Sequence, residues 1–401
     1  MKTRFYPWIL VGLLWVVALL NYLDRQVIFS LFPLLQSELS LTAAQLGLLG
    51  TAFLWVYGLL SPVSGFLADR FSRSRVILLS VVAWSVVTYL TGHAQNFSEL
   101  LGARALMGIS EAAYLPAALA FIADYHGPRT RSLATGIHQS GLYIGMVLGG
   151  LGGGWLGEHY GWRSAFTVLG GVGVGYTAVL TVTMKGTPPA RTATGEEVPS
   201  FWPSVRELLV LPGFRTLLAV NILGSLAYWM VYTWLPLFLY ERYQMSLTGA
   251  GFSATFYIQA ASVAGILAGG VVADRWAGAS SRGRLLTQVI GFGVAGPALF
   301  LVGYTGSHAV LVAALLVFGV GKGFYDCNQM PVLCQIARPN LRATGYGIFN
   351  FGACIAGGIM AFAAGATKNT LGLAFALQLS ACVLAVAAVL LLRLRLPSTA
   401  T

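Results

Sequence analysis

Six ionisable side chains stand inside apolar runs long enough to cross a bilayer: Asp24 with Arg25, Arg104 with Glu111, and Lys322 with Asp326. Three acids meet three bases. A charge within the hydrocarbon layer is costly unless it faces the interior of a bundle and is paired, so each of the six is a candidate for moving an ion, a proton or a charged solute. Arg104 and Glu111 are two helical turns apart and project from nearly the same face, too far along the helix for a simple pair of neighbours. Lys322 and Asp326 also share a face, and there an internal ion pair that only stiffens its helix is an equally good reading.

A second set of polar and aromatic groups falls at mid-run: Tyr22, Tyr114, His138, Gln139, Tyr143, Tyr228, Tyr232, Tyr325, Asn328 and Asn350. Most aromatic residues in membrane helices pack or form interfacial belts, whereas an amide in lipid needs a partner, which puts Gln139 and Asn350 ahead of the tyrosines. His138 titrates near neutral pH and would suit a proton relay, but a packed histidine is the plainer alternative. The four cysteines, Cys327, Cys334, Cys354 and Cys382, lack metal-ligand spacing and read as free packed thiols. With no nucleophile, phosphate loop or metal cluster in view, neither an enzyme nor a resident metal or organic cofactor is expected.

The elements that must position these groups are twelve apolar runs of roughly 18 to 25 residues, the length that spans a hydrocarbon core at helical rise. They cover 8–31, 44–68, 76–93, 99–122, 132–155, 163–184, 214–240, 249–273, 284–304, 308–335, 343–366 and 371–393. The chain is 57% hydrophobic and only 9% charged, more apolar surface than a soluble domain can hide. An all-α membrane protein of twelve transmembrane helices is therefore expected. Its net charge of +11 does not point to nucleic acid, because the basic residues are scattered between the runs rather than gathered on one face. Only Arg163, Arg242 and Lys368 fall in loops on the side opposite the N-terminus, so the positive-inside rule places both termini in the cytoplasm of a bacterial inner membrane. The opening residues look superficially like a signal peptide, but no small-residue cleavage site follows and the run continues into Asp24, so it is kept as the first span.

The polar stretch 185–206 divides the runs six and six, giving an N-terminal bundle over 1–184, a linker, and a C-terminal bundle over 207–401. Three correspondences repeat in the same order across it. Gly65-Phe66-Leu67-Ala68-Asp69-Arg70 matches Gly270-Val271-Val272-Ala273-Asp274-Arg275. Gly108, Glu111 and Pro116 recur in spacing as Gly323, Asp326 and Pro331. Gly136 to Gly141, with Gln139, matches Gly347 to Gly352, with Asn350. Repeated halves are how many carriers build a site at mid-membrane. On the fifth run Gly141, Gly145 and Gly149 recur at every fourth position and suggest a close helix crossing.

Here the sequence resembles the major facilitator superfamily over essentially its whole length. Gly65-x-x-x-Asp69-Arg70-x-x-Arg73-x-Arg75 is similar to that family's signature loop, with Ser72 in place of the customary glycine. The resemblance implies two pseudo-symmetric six-helix bundles and a gating latch formed by Asp69, Arg70 and Arg73, repeated at Asp274 and Arg275. The arginines alternatively do no more than fix topology. Asn21-Tyr22-Leu23-Asp24-Arg25, taken with Arg104, Gly108 and Glu111, resembles the anion:cation symporter branch, whose members carry galactonate, hexuronates and sialic acid. It also resembles the Spinster branch, which handles lysolipids and sphingoid lipids. The helix-five Gly-Pro motif of drug/proton antiporters is missing.

What the first resemblance implies is a proton-coupled symporter of a small organic anion, a sugar acid or a monocarboxylate, working as a monomer in the bilayer by alternating access. Asp24 and Glu111 would carry the proton, and Asp326 is added to them as the third intramembrane acid. Arg104 would be the main anchor for the anion, with Arg25 as its rival, and from their own types and mid-run positions Tyr22, Tyr114, Gln139, Tyr228, Tyr232, Lys322, Asn328 and Asn350 are further candidates to contact solute. Only a carboxylate can shuttle, since guanidinium stays charged throughout. The second resemblance implies a lipid or amphipathic solute instead, and the aromatic segment Tyr228-Trp229-Met230-Val231-Tyr232-Thr233-Trp234 favours it.

Overall fold

Proline decides where the long apolar runs divide. In this computed structural model, which describes residues 5–70, 72–126, 130–184, 201–280, 282–338 and 341–394, the first run forms α1 (Tyr6–Ser30). It stops ahead of Pro33, whose ring nitrogen has no hydrogen for the Phe29 carbonyl, and resumes as α2 (Phe32–Glu38). The helices α3 (Ala43–Arg70) and α4 (Arg73–Thr91) follow. The run expected as one span over 99–122 is two helices, α5 (Phe97–Glu111) and α6 (Tyr114–Tyr125), because Pro116 removes the bond to the Ala112 carbonyl. Next come α7 (Arg131–Tyr160) and α8 (Trp162–Thr183), joined through Gly161 at φ +81°, a left-handed value that glycine takes without strain.

The second half repeats the pattern. After α9 (Phe201–Val210) come α10 (Pro212–Tyr243), α11 (Leu247–Ala279) and α12 (Gly283–Tyr304). The run at 308–335 again divides, into α13 (His308–Asp326) and α14 (Gln329–Ile336), with Pro331 depriving the Cys327 carbonyl. The chain closes with α15 (Arg342–Ala366) and α16 (Lys368–Arg393), and no strand occurs among the described residues. All twelve expected runs are helical. Eleven are both long and apolar enough to cross a membrane; α7 has the length, but its glycines, His138 and Gln139 lower its hydropathy. Within the stretch expected as a linker over 185–206, α9 begins at Phe201 and buries Ser204 and Leu208. Its earlier part lies outside the described residues.

The chain forms two compact units, Met1–Gly195 with Leu239–Thr255, and Glu196–Phe238 with Phe256–Thr401. In the first, α1 lies along the glycine face of α7. A Cβ on Gly141, Gly145 or Gly149 would run into the carbonyl oxygens of Trp15, Leu19 and Leu23, so the sequence periodicity is a backbone-to-backbone seam. That seam fixes the rotation of α1 and hence the direction of Asp24 and Arg25. The unit's apolar core gathers Leu10, Leu14, Trp84, Tyr114 and Phe121. In the second unit α12 packs on both α13 and α16, and α9 on α15.

The start of α11 belongs to the first unit, where Gly150 and Gly251 leave no room for a Cβ between α7 and α11. Beside this crossing, Glu158 accepts hydrogen bonds from the Thr248 N–H at 3.0 Å and its hydroxyl at 2.5 Å, while Ser246 Oγ accepts from Gly249 N–H. Two of the four orphan donors at the α11 N-terminus are thereby satisfied. Glu158 lies past the apolar part of α7, and the bonds from Thr248 hold its carboxyl below the usual glutamate range. A group with a depressed value stabilises its contact above its ordinary pKa and loses that contribution as pH falls through the depressed one. Amide-exchange protection of Thr248 should accordingly be full at neutral pH, fall on acidification below about 4.3, and be weak at every pH in Glu158→Gln. An unchanged protection profile in the variant would remove Glu158 from this role.

Candidate functional site

Four of the six intramembrane charges converge in the first unit. Arg25, carried on α1, donates from Nε to Glu111 Oε2 at 2.5 Å, with the arginine side chain 12% exposed and the glutamate fully buried. The guanidinium is enclosed by aromatic faces, its Cζ lying 4.4 Å from the Tyr57 ring centroid, 4.8 Å from Tyr22 and 5.0 Å from Phe53. Such stacking suits the weakly hydrated planar group and holds its fork in one plane. Asp24, one residue earlier on α1, accepts from Thr88 Oγ1 of α4 at 3.3 Å, and its other oxygen has no hydrogen bond among the described residues. Glu111 Oε1 likewise makes no close hydrogen bond, although the Asn21 side chain interacts with the same carboxylate. An acid pair with spare acceptor atoms, buried beside one stacked guanidinium, has capacity for protons that a closed ion pair lacks.

Arg104 behaves differently from expectation. It is 1% exposed, donates from Nε to the Leu49 carbonyl at 3.3 Å and from Nη1 to Met107 Sδ at 3.0 Å, and its Cζ lies 4.8 Å from the Phe53 ring centroid. No carboxylate pairs with it among the described residues, so the acid two turns along its own helix is bound by Arg25 instead. Of the two arginines, Arg25 is the more accessible and holds the acid, and both guanidinium groups lie against the Phe53 ring. Distance along one helix could not show that α1 would reach Glu111 first.

The repeated Gly, acid and Pro spacing now has a physical meaning. A Cβ on Gly108 would press on the Phe53 carbonyl of α3, and one on Gly323 would overlap the Ser262 carbonyl of α11, so each glycine lets its helix cross a neighbour closely. Three residues later the acid, Glu111 or Asp326, is the final residue of the half-helix, and the proline at the next turn opens the backbone just beyond it. Breaks of this kind in spanning helices expose polar groups where a carrier needs them.

The second unit holds the other two charges. Lys322 Nζ pairs with Asp326 Oδ2 one turn along α13 and lies 5.5 Å from the Tyr228 ring centroid of α10. Tyr228 in turn approaches Tyr325 at 6.2 Å, and Tyr325 stacks on Phe292 at 4.3 Å and accepts from Gln329 Nε2 at 3.2 Å. Tyr232 is a further neighbour of Lys322. Asn328, expected to contact solute, is corrected: it is buried and its amide donates to the Phe324 carbonyl and Cys327 Sγ, closing the break between α13 and α14.

Tyr114 is corrected as well. Its hydroxyl is shared between the Leu14 carbonyl at 3.0 Å and His138 Nε2 at 2.9 Å, and its ring meets Trp84 edge-on inside the apolar core. His138 is buried beside Tyr114, and its Nδ1 has no hydrogen bond among the described residues. Gln139 and Asn350 are both half-buried. Of the latch residues, the side chains of Asp69 and Arg70 lie outside the described set. Arg73 pairs with Asp124 and donates to the Ala120 carbonyl at 3.1 Å, joining α4 to α6, while Asp274 accepts from Arg284 at 3.1 Å and Arg275 is exposed. The sequence reading missed Thr88, Phe53, Tyr57 and Asn221. Phe53 and Tyr57 stack one turn apart, a spacing that was visible, and Asn221 was an amide inside an apolar run. Among the described residues no group of His, Cys, Asp and Glu is arranged to hold a metal.

Comparison with known proteins gives a family model described as Major Facilitator Superfamily that matches residues 14–361. A probable galactarate/D-glucarate transporter of Bacillus subtilis is 28% identical over 353 residues, covering 79% of this chain and 76% of its own. An MFS-type efflux pump of Mycolicibacterium smegmatis is 29% identical over 368 residues, covering 91% and 85%. Among solved structures, a bacterial homologue of the human lysosomal transporter Spinster, in an inward-facing and unoccupied conformation, superposes with a TM-score of 0.85 at 22% identity, over 99% of this chain and all of its own.

Proposed function

The chain belongs to the Major Facilitator Superfamily and is a multi-pass membrane transporter rather than an enzyme, and from that premise we propose that it is a proton-coupled symporter of a small organic anion of the sugar-acid type. The observation that carries this reading is the buried Arg25 and Glu111 pair, with Asp24 beside it and acceptor atoms left unfilled on both acids. A solute carboxylate that takes the Arg25 fork weakens its hold on Glu111, and a proton on Glu111 frees Arg25 for the solute. Each load favours the other, and by linkage the effect is mutual. Asp24 is the reserve acid, and the stacked rings of Tyr22 and Tyr57 keep the fork oriented for a planar carboxylate. Alternating access then moves anion and proton together. The galactarate/D-glucarate relative supports a sugar acid as the anion.

Uptake by proteoliposomes tests this against the lipid-carrier reading. Galactarate, galactonate, a simple monocarboxylate and a lysophospholipid are each offered with and without an inward proton gradient. Accumulation of at least one sugar acid that needs the gradient is the expected result. Movement of the lysophospholipid alone, indifferent to pH, would overturn the proposal.

A further inference from the structure

We propose that α9 is a docking surface for anionic phospholipid headgroups, in which Trp202, Leu209 and Val210 enter the interfacial layer while Arg206 and Arg215 hold the phosphates. Helical spacing divides this ten-residue helix into two faces. Ser204 and Leu208, one turn apart, are buried, and α9 packs on α15. Trp202, Arg206, Leu209 and Val210 stand together on the other side, the apolar three 75%, 40% and 67% exposed and the arginine exposed among them. So much bare apolar surface on one short helix marks a contact. Tryptophan and aliphatic residues around an arginine are the composition of a helix lying in a bilayer interface. There the indole keeps its N–H among the headgroups, and the arginine stem carries its charge out to the phosphates.

Position within the second unit identifies the occupant as lipid. The helix ends at Val210 because Leu211 precedes Pro212, and a residue ahead of proline is disfavoured in the helical region. The apolar span of α10 then begins at Gly213, and that of α15 at Thr344, just inside its own first residue Arg342. A Cβ on Gly213 would meet the Ile336 side chain at the close of α14. Two membrane spans thus start beside α9, which is held where hydrocarbon gives way to headgroups and its outer face continues their lipid-facing surface.

Charge complementarity selects the kind of headgroup. Arg338, which follows α14, pairs with Glu207, ties α9 down and neutralises the helix's one acid. Arg206 and Arg215 stay exposed, and neither pairs with a carboxylate among the described residues. Arg215 lies near the start of α10, where the helix dipole disfavours a cation, so its own helix does not reward it there. A phosphate does.

The test places the full-length protein in nanodiscs of phosphatidylcholine with phosphatidylglycerol as the minor lipid, bromine being carried near the headgroup of one lipid or the other. The Trp202 signal is the difference in fluorescence between the parent and Trp202→Phe. It should be quenched by brominated lipid, be shielded from acrylamide in the water, and respond more strongly per molecule to brominated phosphatidylglycerol than to brominated phosphatidylcholine. Arg206→Gln should lower that preference by about fivefold, Arg215→Gln should lower it again, and Arg206→Lys should keep it, since the charge is what the phosphate reads. Trp202 quenched by acrylamide but not by lipid faces water, and quenched by neither is covered by protein or a second copy of the chain. Either result overturns the proposal, as does equal quenching by the two lipids or a preference that the arginine variants leave unchanged.

Discussion

Glu111→Gln is expected to abolish gradient-driven accumulation while leaving exchange of labelled for unlabelled solute intact. Glutamine preserves the volume and an acceptor oxygen for Arg25 but cannot take up or release a proton, so a permanently neutral site can still cycle with solute bound. An imposed difference of about one pH unit supports about tenfold accumulation at one proton per solute, and in the variant the ratio should fall to about one. The readout is the plateau of uptake in proteoliposomes, with counterflow measured on the same preparation. If Glu111→Gln still concentrates solute with the parent's pH dependence, Glu111 is not the coupling acid. Asp24, whose free oxygen lies in the same buried cluster, would then be the acid to test.

Arg25→Met should give the other large effect. It removes the cation that neutralises a fully buried glutamate, and breaking such a pair from one side costs about 3–5 kcal/mol if the remaining charge persists. Solute affinity should fall by about a hundredfold or more, since a desolvated anchor is lost. Combining Arg25→Met with Glu111→Gln should recover thermal stability, because no charge is stranded, without recovering affinity. That separates damage to the fold from loss of the anchor. Arg25→Lys keeps the charge but gives up the planar fork and much of the stacking on Tyr22, Phe53 and Tyr57, and should lie between the two. Arg104→Lys should disturb affinity less than Arg25→Lys, because Arg104 is turned to the Leu49 carbonyl and Met107. The reverse ranking in a direct binding assay would restore Arg104 as the anchor.

Linear sequence alone determined the elements. Hydrophobic run length fixes where helices cross a bilayer, because no other backbone arrangement satisfies its own polar groups in lipid. The spacing of Gly141, Gly145 and Gly149 already specified a close crossing, and the Gly, acid and Pro repeat marked its two helices as equivalents. The cost of charge in hydrocarbon made Asp24, Arg25, Arg104, Glu111, Lys322 and Asp326 conspicuous without any coordinates. Partners were beyond its reach. Position along one helix says which residues share a face, but not which helix arrives opposite that face. Glu111 is therefore met by Arg25 across 86 residues of sequence and not by Arg104 on its own helix, whereas Lys322 and Asp326, four residues apart, found each other locally. The helix breaks after Glu111 and Asp326 fell between these cases. Pro116 and Pro331 were in plain view, but a proline in a spanning helix is tolerated whenever neighbours or side chains satisfy the freed carbonyl. Tertiary packing decided that Tyr114 would sink into the core with His138 and Asn328 would close the second break, because a buried polar group goes to whichever partner the surrounding helices bring within reach.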